Sequence, residues 1–206
     1  TSQSTWNQLV AGISEDDPLV AAAAADAMVK FIENSNLTDL QRTQLSTKLV
    51  QRYRQCANEG KKSTRYLREA LLGVMGALKD EKLADVIISS LKDPAATVRL
   101  SGVRAIKQLG SSKYIPAIIP LVKDPDRGVR MVAIATIGAL GNSNYVETIL
   151  ERTEKSIEPD ADVRSEAWRT IMKLLKKDGI EKLNKITQKL AQRPDARSHL
   201  IDILKL

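Results

Sequence analysis

The chain contains 206 residues, of which 43% are hydrophobic and only 3% aromatic, and its formal net charge is +7. This length suffices for one continuous domain with an aliphatic core. No apolar run approaches the ~18 residues that a membrane-spanning helix needs, and no signal-peptide pattern is present. Cys56 is the single cysteine, which excludes an internal disulfide framework and predicts a reducing, cytoplasmic location.

Three helices are predicted at the start of the chain. The first two, over 3–13 and 18–33, form an amphipathic pair, and the second opens with Asp17-Pro18. The residues Thr38-Asp39-Leu40-Gln41 then have the spacing of a capping box and begin an unusually long helix, expected over about 37–57.

The middle of the chain contains an internal repeat. The residues DPAATVRLSGVRAIKQLG at 93–110 recur as DPDRGVRMVAIATIGALG at 124–141, and a looser copy, EPDADVRSEAWRTIMKLL, starts at Glu158. A fainter copy without the proline contains Leu67-Arg68. A period of 31 to 34 residues indicates stacked supersecondary units, because one such unit cannot bury its apolar face alone.

Each repeat is predicted to be a helical hairpin. We expect Asp93 to cap a helix with Pro94 in its first turn and Gly110 at its end. A second amphipathic segment precedes each copy, as at 83–91 and 114–122.

The end of the chain predicts one more helix pair, over 179–192 and from Pro194 to Leu206. The whole pattern predicts an all-α protein, an α-solenoid of about six antiparallel helix pairs in a single domain over 1–206, with the clearest repeats at 82–177. Because the chain does not begin with Met and its last helix ends apolar, we expect it to be part of a larger protein.

The D-P-x-x-x-V-R opening and the A/G-L-G-like close of these copies resemble HEAT repeats, specifically the short variety of phycobilisome-lyase-like proteins. This resemblance implies a right-handed superhelix in which the second helix of each pair lines a concave face. The resemblance assigns four segments to second helices, at 61–79, 95–110, 126–141 and 160–177. Together they contain 15 Lys or Arg and 5 Asp or Glu, a net charge of +10 against +7 for the whole chain. The concave face is therefore expected to be basic.

The resemblance also implies a structural role for one set of cations. In HEAT-like arrays the arginine of the Val-Arg pair contacts a loop aspartate of a neighbouring repeat. The expected ladder consists of Arg68, Arg99, Arg130 and Arg164, paired with Asp93, Asp124 and Asp160 or Asp162. The cations that do not follow the repeat are the better candidates for binding a partner, with a solvated face as the alternative: Arg65, Arg104, Lys107, Arg169, Lys173 and Lys177.

Small residues interrupt the basic face. Gly73, Gly76 and Ala77 in one copy match Ala135, Gly138 and Ala139 in another. Such positions allow close approach of a backbone, either from an adjacent helix, which we favour, or from a bound peptide.

The sequence predicts no catalytic site, metal or cofactor. His199 is the single histidine and is expected at the surface, and no glycine-rich phosphate loop is present. The carboxylates near 151–162 are interpreted as a solvated acidic turn, with an exposed cation site as the alternative. Trp168 resembles an aromatic residue of HEAT-like DNA glycosylases, but it occupies an apolar repeat position and is predicted to be buried.

Three functions remain open. The leading hypothesis is a non-catalytic scaffold that binds a protein partner with an acidic or extended segment. The alternatives are a nucleic-acid-binding module related to the HEAT-like glycosylases and a bilin-lyase-like protein. The oligomeric state is not predicted by any feature of the sequence.

Overall fold

The structure is a computed structural model that describes residues 2–178, 187–188 and 191–192. Regular secondary structure within these residues is entirely helical. The α-helices are α1 Ser2–Gly12, α2 Pro18–Glu33, α3 Asp39–Glu59, α4 Arg65–Leu78, α5 Ala84–Ser90, α6 Ala96–Leu109, α7 Ile115–Ile118, α8 Arg127–Leu140, α9 Val146–Leu150 and α10 Ala161–Asp178. Short 3₁₀ segments adjoin them at Lys62–Thr64, Glu81–Leu83, Ser112–Tyr114, Ile119–Lys123, Ser143–Tyr145 and Glu151–Thr153.

The chain divides into two compact units, Thr1–Ser111 (unit 1) and Ser112–Leu206 (unit 2). In unit 1 the helix pairs are α1/α2, α3/α4 and α5/α6, and α4 packs against both α2 and α6. In unit 2 the pairs are α7/α8 and α9/α10, and α8 packs against α10. Within each unit the second helices of successive pairs stack on one another, which confirms the predicted all-α solenoid class. A single continuous domain over 1–206 stays a prediction.

The predicted sixth pair, over 179–192 and from Pro194, lies outside the described residues except for 187–188 and 191–192.

The N-terminal helices begin where the sequence predicts. The Asp17 carboxylate accepts a hydrogen bond of 2.8 Å from the Leu19 N–H, and Pro18 occupies the first helical position, where no N–H is needed. Trp6 is buried, with its ring 6.0 Å from that of Phe31. The contact between Trp6 and Phe31 holds α1 against α2.

Helix α3 is the long helix that the capping box predicts. The Thr38 side chain accepts a hydrogen bond from the Gln41 N–H, the Gln41 side chain accepts one from the Thr38 N–H, and Gly60 ends the helix at φ +60°. The buried residues Leu45, Leu49, Tyr53 and Cys56 recur at helical spacing. This face packs against α4.

The predicted cap of the central repeat is wrong. Helix α6 begins at Ala96, with Ala95 at the N-cap position and no side-chain cap. The Asp93 carboxylate lies in the preceding loop, where it accepts a hydrogen bond of 2.9 Å from the Ala95 N–H and pairs with Arg68. Gly110 ends the helix at φ +77°, as the sequence predicts.

The first helices of unit 2 are short. Helix α7 gives way to a 3₁₀ segment at Ile119, next to Pro120. Proline lacks the N–H that an α-helix requires and its ring clashes with the preceding turn. No proline explains the similar change after α9.

Candidate functional site

Three of the four repeat arginines, Arg99, Arg130 and Arg164, share one geometry. Nη1 of Arg99 donates hydrogen bonds to the backbone carbonyls of Asp93 and Pro94, at 2.9 and 3.1 Å. Arg130 contacts the carbonyls of residues 124 and 125 in the same way, and Arg164 those of residues 158 and 159. The fixed D-P-x-x-x-V-R spacing therefore folds each arginine back onto the loop that precedes its own helix.

Two of the four repeat arginines form buried ion pairs with a loop carboxylate 25 or 28 residues later. Nε and Nη2 of Arg68 donate to the two carboxylate oxygens of Asp93, at 2.9 and 3.3 Å. Arg130 contacts Glu158 through the same two nitrogens, at 2.8 Å each. Arg68 is 3% exposed and Glu158 0%. Arg68 and Arg130 are thus engaged by carboxylates of their own unit.

The carboxylate partner of Arg130 differs from the expected one. The sequence predicts Asp160 or Asp162, but Glu158 forms this pair. Asp160 instead caps α10, since its carboxylate accepts hydrogen bonds from the Asp162 and Val163 N–H groups. Glu158 is the structural equivalent of Asp93, because its carboxylate accepts a hydrogen bond from the Asp160 N–H as that of Asp93 does from the Ala95 N–H. This equivalence explains why Glu158 forms the pair.

Exposed cations form ion pairs with the carboxylates of the acidic turn at 151–162. Arg127 lies 2.9 Å from Asp160 and 3.6 Å from Asp162, and Lys123 lies 2.9 Å from Glu151. The hydrogen bond from Arg127 lowers the pKa of Asp160, and the one from Lys123 lowers the pKa of Glu151. Within the described residues no three His, Cys, Asp or Glu side chains form a group suited to a metal ion.

In unit 1 the three candidate binding cations do not lie together. Arg104 and Lys107 are exposed, one turn apart on α6, and neither forms an ion pair with a described residue. Arg65 lies at the start of α4, with Nε 3.6 Å from Glu69 and its guanidinium over the Tyr66 ring. Its repeat equivalent on α6 is Ala96, about 12 Å along the helix from Arg104 at 1.5 Å per residue.

In unit 2 the candidates lie on α10. Arg169 is exposed and donates a hydrogen bond to Glu166, three residues earlier. Lys173 is exposed one turn further along and forms no ion pair with a described residue. The side chain of Lys177 lies outside the described residues.

Helix packing accounts for two of the small residues, Gly76 and Gly138. A Cβ atom on Gly76 would lie 1.9 Å from Oε1 of Gln108 and 3.1 Å from Cα of Ala105, both on α6. A Cβ on Gly138 would lie 2.9 Å from Thr170 on α10. Neither position is open to a bound peptide. Gly73 differs, since its nearest neighbour would be Val29 at 3.8 Å.

The remaining candidates do not form a site in the described part of the chain. Trp168 is buried at 8% exposure, as its repeat position predicts. His199 lies outside the described residues.

A hollow in unit 1 brings Lys107 together with two cations that the sequence did not single out. It encloses about 960 Å³ at the C-terminal ends of α2, α4 and α6. Its cations are Arg42, Lys79 and Lys107, and its carboxylate is Glu33. Arg42 also donates a hydrogen bond of 3.3 Å to the Leu78 carbonyl.

One signal in the sequence points to this hollow. Lys79 stands 31 residues before Gly110, at the position where the next copy ends its helix with glycine. Lys79 has φ +52° and is the one non-glycine residue with positive φ among those described. A lysine in this left-handed conformation costs about 1–2 kcal/mol of conformational free energy. This cost makes the Lys79 side chain a candidate for a functional role.

The comparisons with known proteins agree with the fold. Residues 49–130 match the family model for HEAT repeats. The crystal structure of an engineered protein from the Northeast Structural Genomics Consortium is similar, with a TM-score of 0.55, 13% sequence identity, and coverage of 97% of this chain and 95% of that one. No sequence among the curated proteins matches.

Residues 49–130 therefore match HEAT repeats, and the described helix pairs have the fold of an α-solenoid. HEAT repeats are typical of protein-interaction scaffolds. No helix in the described part of the chain is long and apolar enough to cross a membrane.

Proposed function

We propose that the chain is a non-catalytic scaffold that binds a protein partner with an acidic or extended segment through exposed cations on its second helices. The observation that carries the proposal is that the arginines and lysines of the second helices fall into two groups, one with contacts inside its own unit and one exposed without an ion pair to a described residue. The repeat arginines contact loop carbonyls and carboxylates of their own unit. Arg104, Lys107 and Lys173 lie on the same class of helix but are exposed and form no ion pair with a described residue.

A cytoplasmic location is part of the proposal, and it is supported by the single, buried and unbridged Cys56.

A protein partner is favoured over a nucleic acid by the placement of the aromatic side chains. Single-stranded nucleic acids bind to aromatic platforms combined with basic grooves. All seven aromatic residues lie in the described part of the chain, and Tyr66 alone among them is exposed, at 54%. Its ring is already covered by the Arg65 guanidinium, 4.4 Å from the ring centroid.

The test is a charge reversal on both units, R104E/K107E/R169E/K173E. Fluorescence anisotropy would measure binding of a glutamate-rich peptide, of duplex DNA and of single-stranded DNA at two salt concentrations. We expect the peptide to bind the unmodified chain and to lose affinity by at least about tenfold in the variant, because each 1.4 kcal/mol of lost interaction changes affinity tenfold.

The matched control reverses four exposed cations outside the second helices, R54E/K82E/K92E/K155E, which changes the net charge equally. Equal losses in both variants would show that only overall charge matters. Tight DNA binding that falls steeply with salt, together with weak peptide binding, would favour the nucleic-acid alternative.

A further inference from the structure

We propose that the hollow in unit 1 binds a carboxylate-bearing segment of the protein partner, with Arg42, Lys79 and Lys107 as the groups that hold the carboxylates. The inference rests on the proposed function, because it names where unit 1 would grip an acidic segment. Lys107 belongs to both surfaces, whereas Arg42 and Lys79 belong to the hollow alone. The two proposals are therefore separated by R42Q/K79N and by the triple variant R104E/R169E/K173E, which leaves Lys107 intact.

The three cations converge without a carboxylate to neutralise them. Arg42, Lys79 and Lys107 come from α3, from the residue after α4 and from the last turn of α6, yet they line one hollow. No carboxylate of a described residue forms an ion pair with any of them, and Glu33 is the one acidic residue in the lining. The hollow therefore carries a net charge of +2, which favours an anionic occupant.

Helix dipoles explain only part of this cluster. Lys79 and Lys107 lie at helix C-termini, where a cation is favourable even without a ligand. Arg42 lies near the start of α3, where the dipole disfavours a positive charge. Its single hydrogen bond, to the Leu78 carbonyl, directs the guanidinium toward the hollow. The stability of α3 therefore does not account for Arg42, whose guanidinium contacts the C-terminal end of α4 and lines the hollow.

The rest of the lining matches a peptide. Asn36 and Gln108 supply amide groups, which can both donate to and accept from a peptide backbone. Ile32, Ala77 and Leu78 supply apolar surface between the cations. A segment in which Asp or Glu alternates with apolar residues satisfies both kinds of lining, whereas a phosphate backbone would leave the apolar part unused.

The experiment uses the full chain and a short fluorescein-labelled peptide of alternating glutamate and leucine, followed by anisotropy. The variant R42Q/K79N removes two charges from the hollow and keeps a residue at 79 that tolerates positive φ. Its control, R54Q/K92Q, removes two exposed charges elsewhere in unit 1. We expect affinity to fall by at least about tenfold in the first and by less than about twofold in the second.

Further arms make the outcome decisive. The conservative variant R42K/K79R should bind nearly as tightly as the unmodified chain, and a peptide with glutamine in place of glutamate should bind much more weakly. Circular dichroism verifies that every variant is folded. No loss in R42Q/K79N, or an equal loss in its control, would overturn the inference.

The two proposals fail in different ways. If R104E/R169E/K173E abolishes peptide binding while R42Q/K79N does not, the scaffold surface stands and the hollow is wrong. If only R42Q/K79N weakens binding, the hollow stands and the cations of α6 and α10 are not the binding surface. If single-stranded DNA displaces the peptide and its own binding requires Arg42 and Lys79, the hollow holds phosphates, and the assignment to a peptide is overturned.

Discussion

Arg130 and Glu158 form a two-point ion pair inside unit 2, in which Nε and Nη2 of the guanidinium each donate a hydrogen bond of 2.8 Å to the carboxylate. Glu158 is completely buried, and Arg130 keeps Nη1 for the carbonyls of residues 124 and 125. One arginine thus joins the loop before its own helix to the loop before the next second helix. Arg68 and Asp93 make the corresponding pair in unit 1.

The first prediction follows from burial of this pair. Glu158→Gln removes the negative charge and leaves two guanidiniums, those of Arg130 and Arg152, facing a neutral group. We therefore expect the free energy of unfolding to fall by about 3 kcal/mol. The measurement is urea denaturation followed by circular dichroism. The control is Asp162→Asn in the same loop, where a side chain that is 74% exposed should change stability by less than about 0.5 kcal/mol. Equal effects would show that the Arg130–Glu158 pair has no special role in the stack.

The sequence predicted the helices well because local signals define them. The capping box at Thr38–Gln41, the Asp17-Pro18 start and Gly110 all act within one turn of the residues they cap. The Asp93 cap was wrong because a competing partner, Arg68, lies 25 residues away in sequence. A local rule carries no information about that contact.

The Arg130–Glu158 pair and the hollow were not predicted from the sequence. The repeat places Glu158 at the position of Asp93, but the family resemblance implies an aspartate there, so Asp160 or Asp162 was the expected partner. Arg42, Lys79 and Lys107 are far apart in sequence and meet only because the ends of several helices meet. The Lys79–Gly110 mismatch was visible in the repeat, but its meaning required the backbone angle.

The second prediction concerns Lys79. Glycine adopts positive φ without steric cost, so Lys79→Gly should raise the free energy of unfolding by about 1 kcal/mol. The same change removes one cation from the hollow and should weaken binding of the acidic peptide. Thermal unfolding and anisotropy on one preparation would measure both effects. A variant that is more stable and binds unchanged would remove Lys79 from the proposed site.

The third prediction concerns pH. Burial raises the pKa of Tyr53 to about 12, with a smaller contribution from the Asp93 charge. The unfolded tyrosine ionises near pH 10. The contribution of Tyr53 to stability is therefore complete below pH 10 and is lost as the pH rises toward 12. Tyr53→Phe removes this ionisation. We expect the stability difference between the unmodified chain and Tyr53→Phe to shift by about 1 kcal/mol toward the variant from pH 9 to pH 11.

Urea midpoints of both proteins at the two pH values provide the measurement, and the comparison cancels the ionisation of lysines that both share. Parallel loss of stability in the two proteins would show that Tyr53 ionises equally in the folded and unfolded states.

The fourth prediction contrasts two glycines on the same helix. Alanine has the higher helix propensity, so Gly73→Ala, where the new Cβ meets Val29 at an ordinary 3.8 Å, should stabilise unit 1 by about 0.5–1 kcal/mol.

Gly76→Ala gains the same propensity but brings Cβ to 3.1 Å from Cα of Ala105 as well as onto the Gln108 side chain. Gln108 can move aside because it is exposed, whereas the Ala105 backbone moves only if α4 and α6 separate. Overpacking of this kind costs about 1–3 kcal/mol, so the net change at Gly76 should be destabilising. Melting temperatures of the two variants should therefore move in opposite directions, and a rise in both would mean that close packing of α4 on α6 does not require glycine at 76.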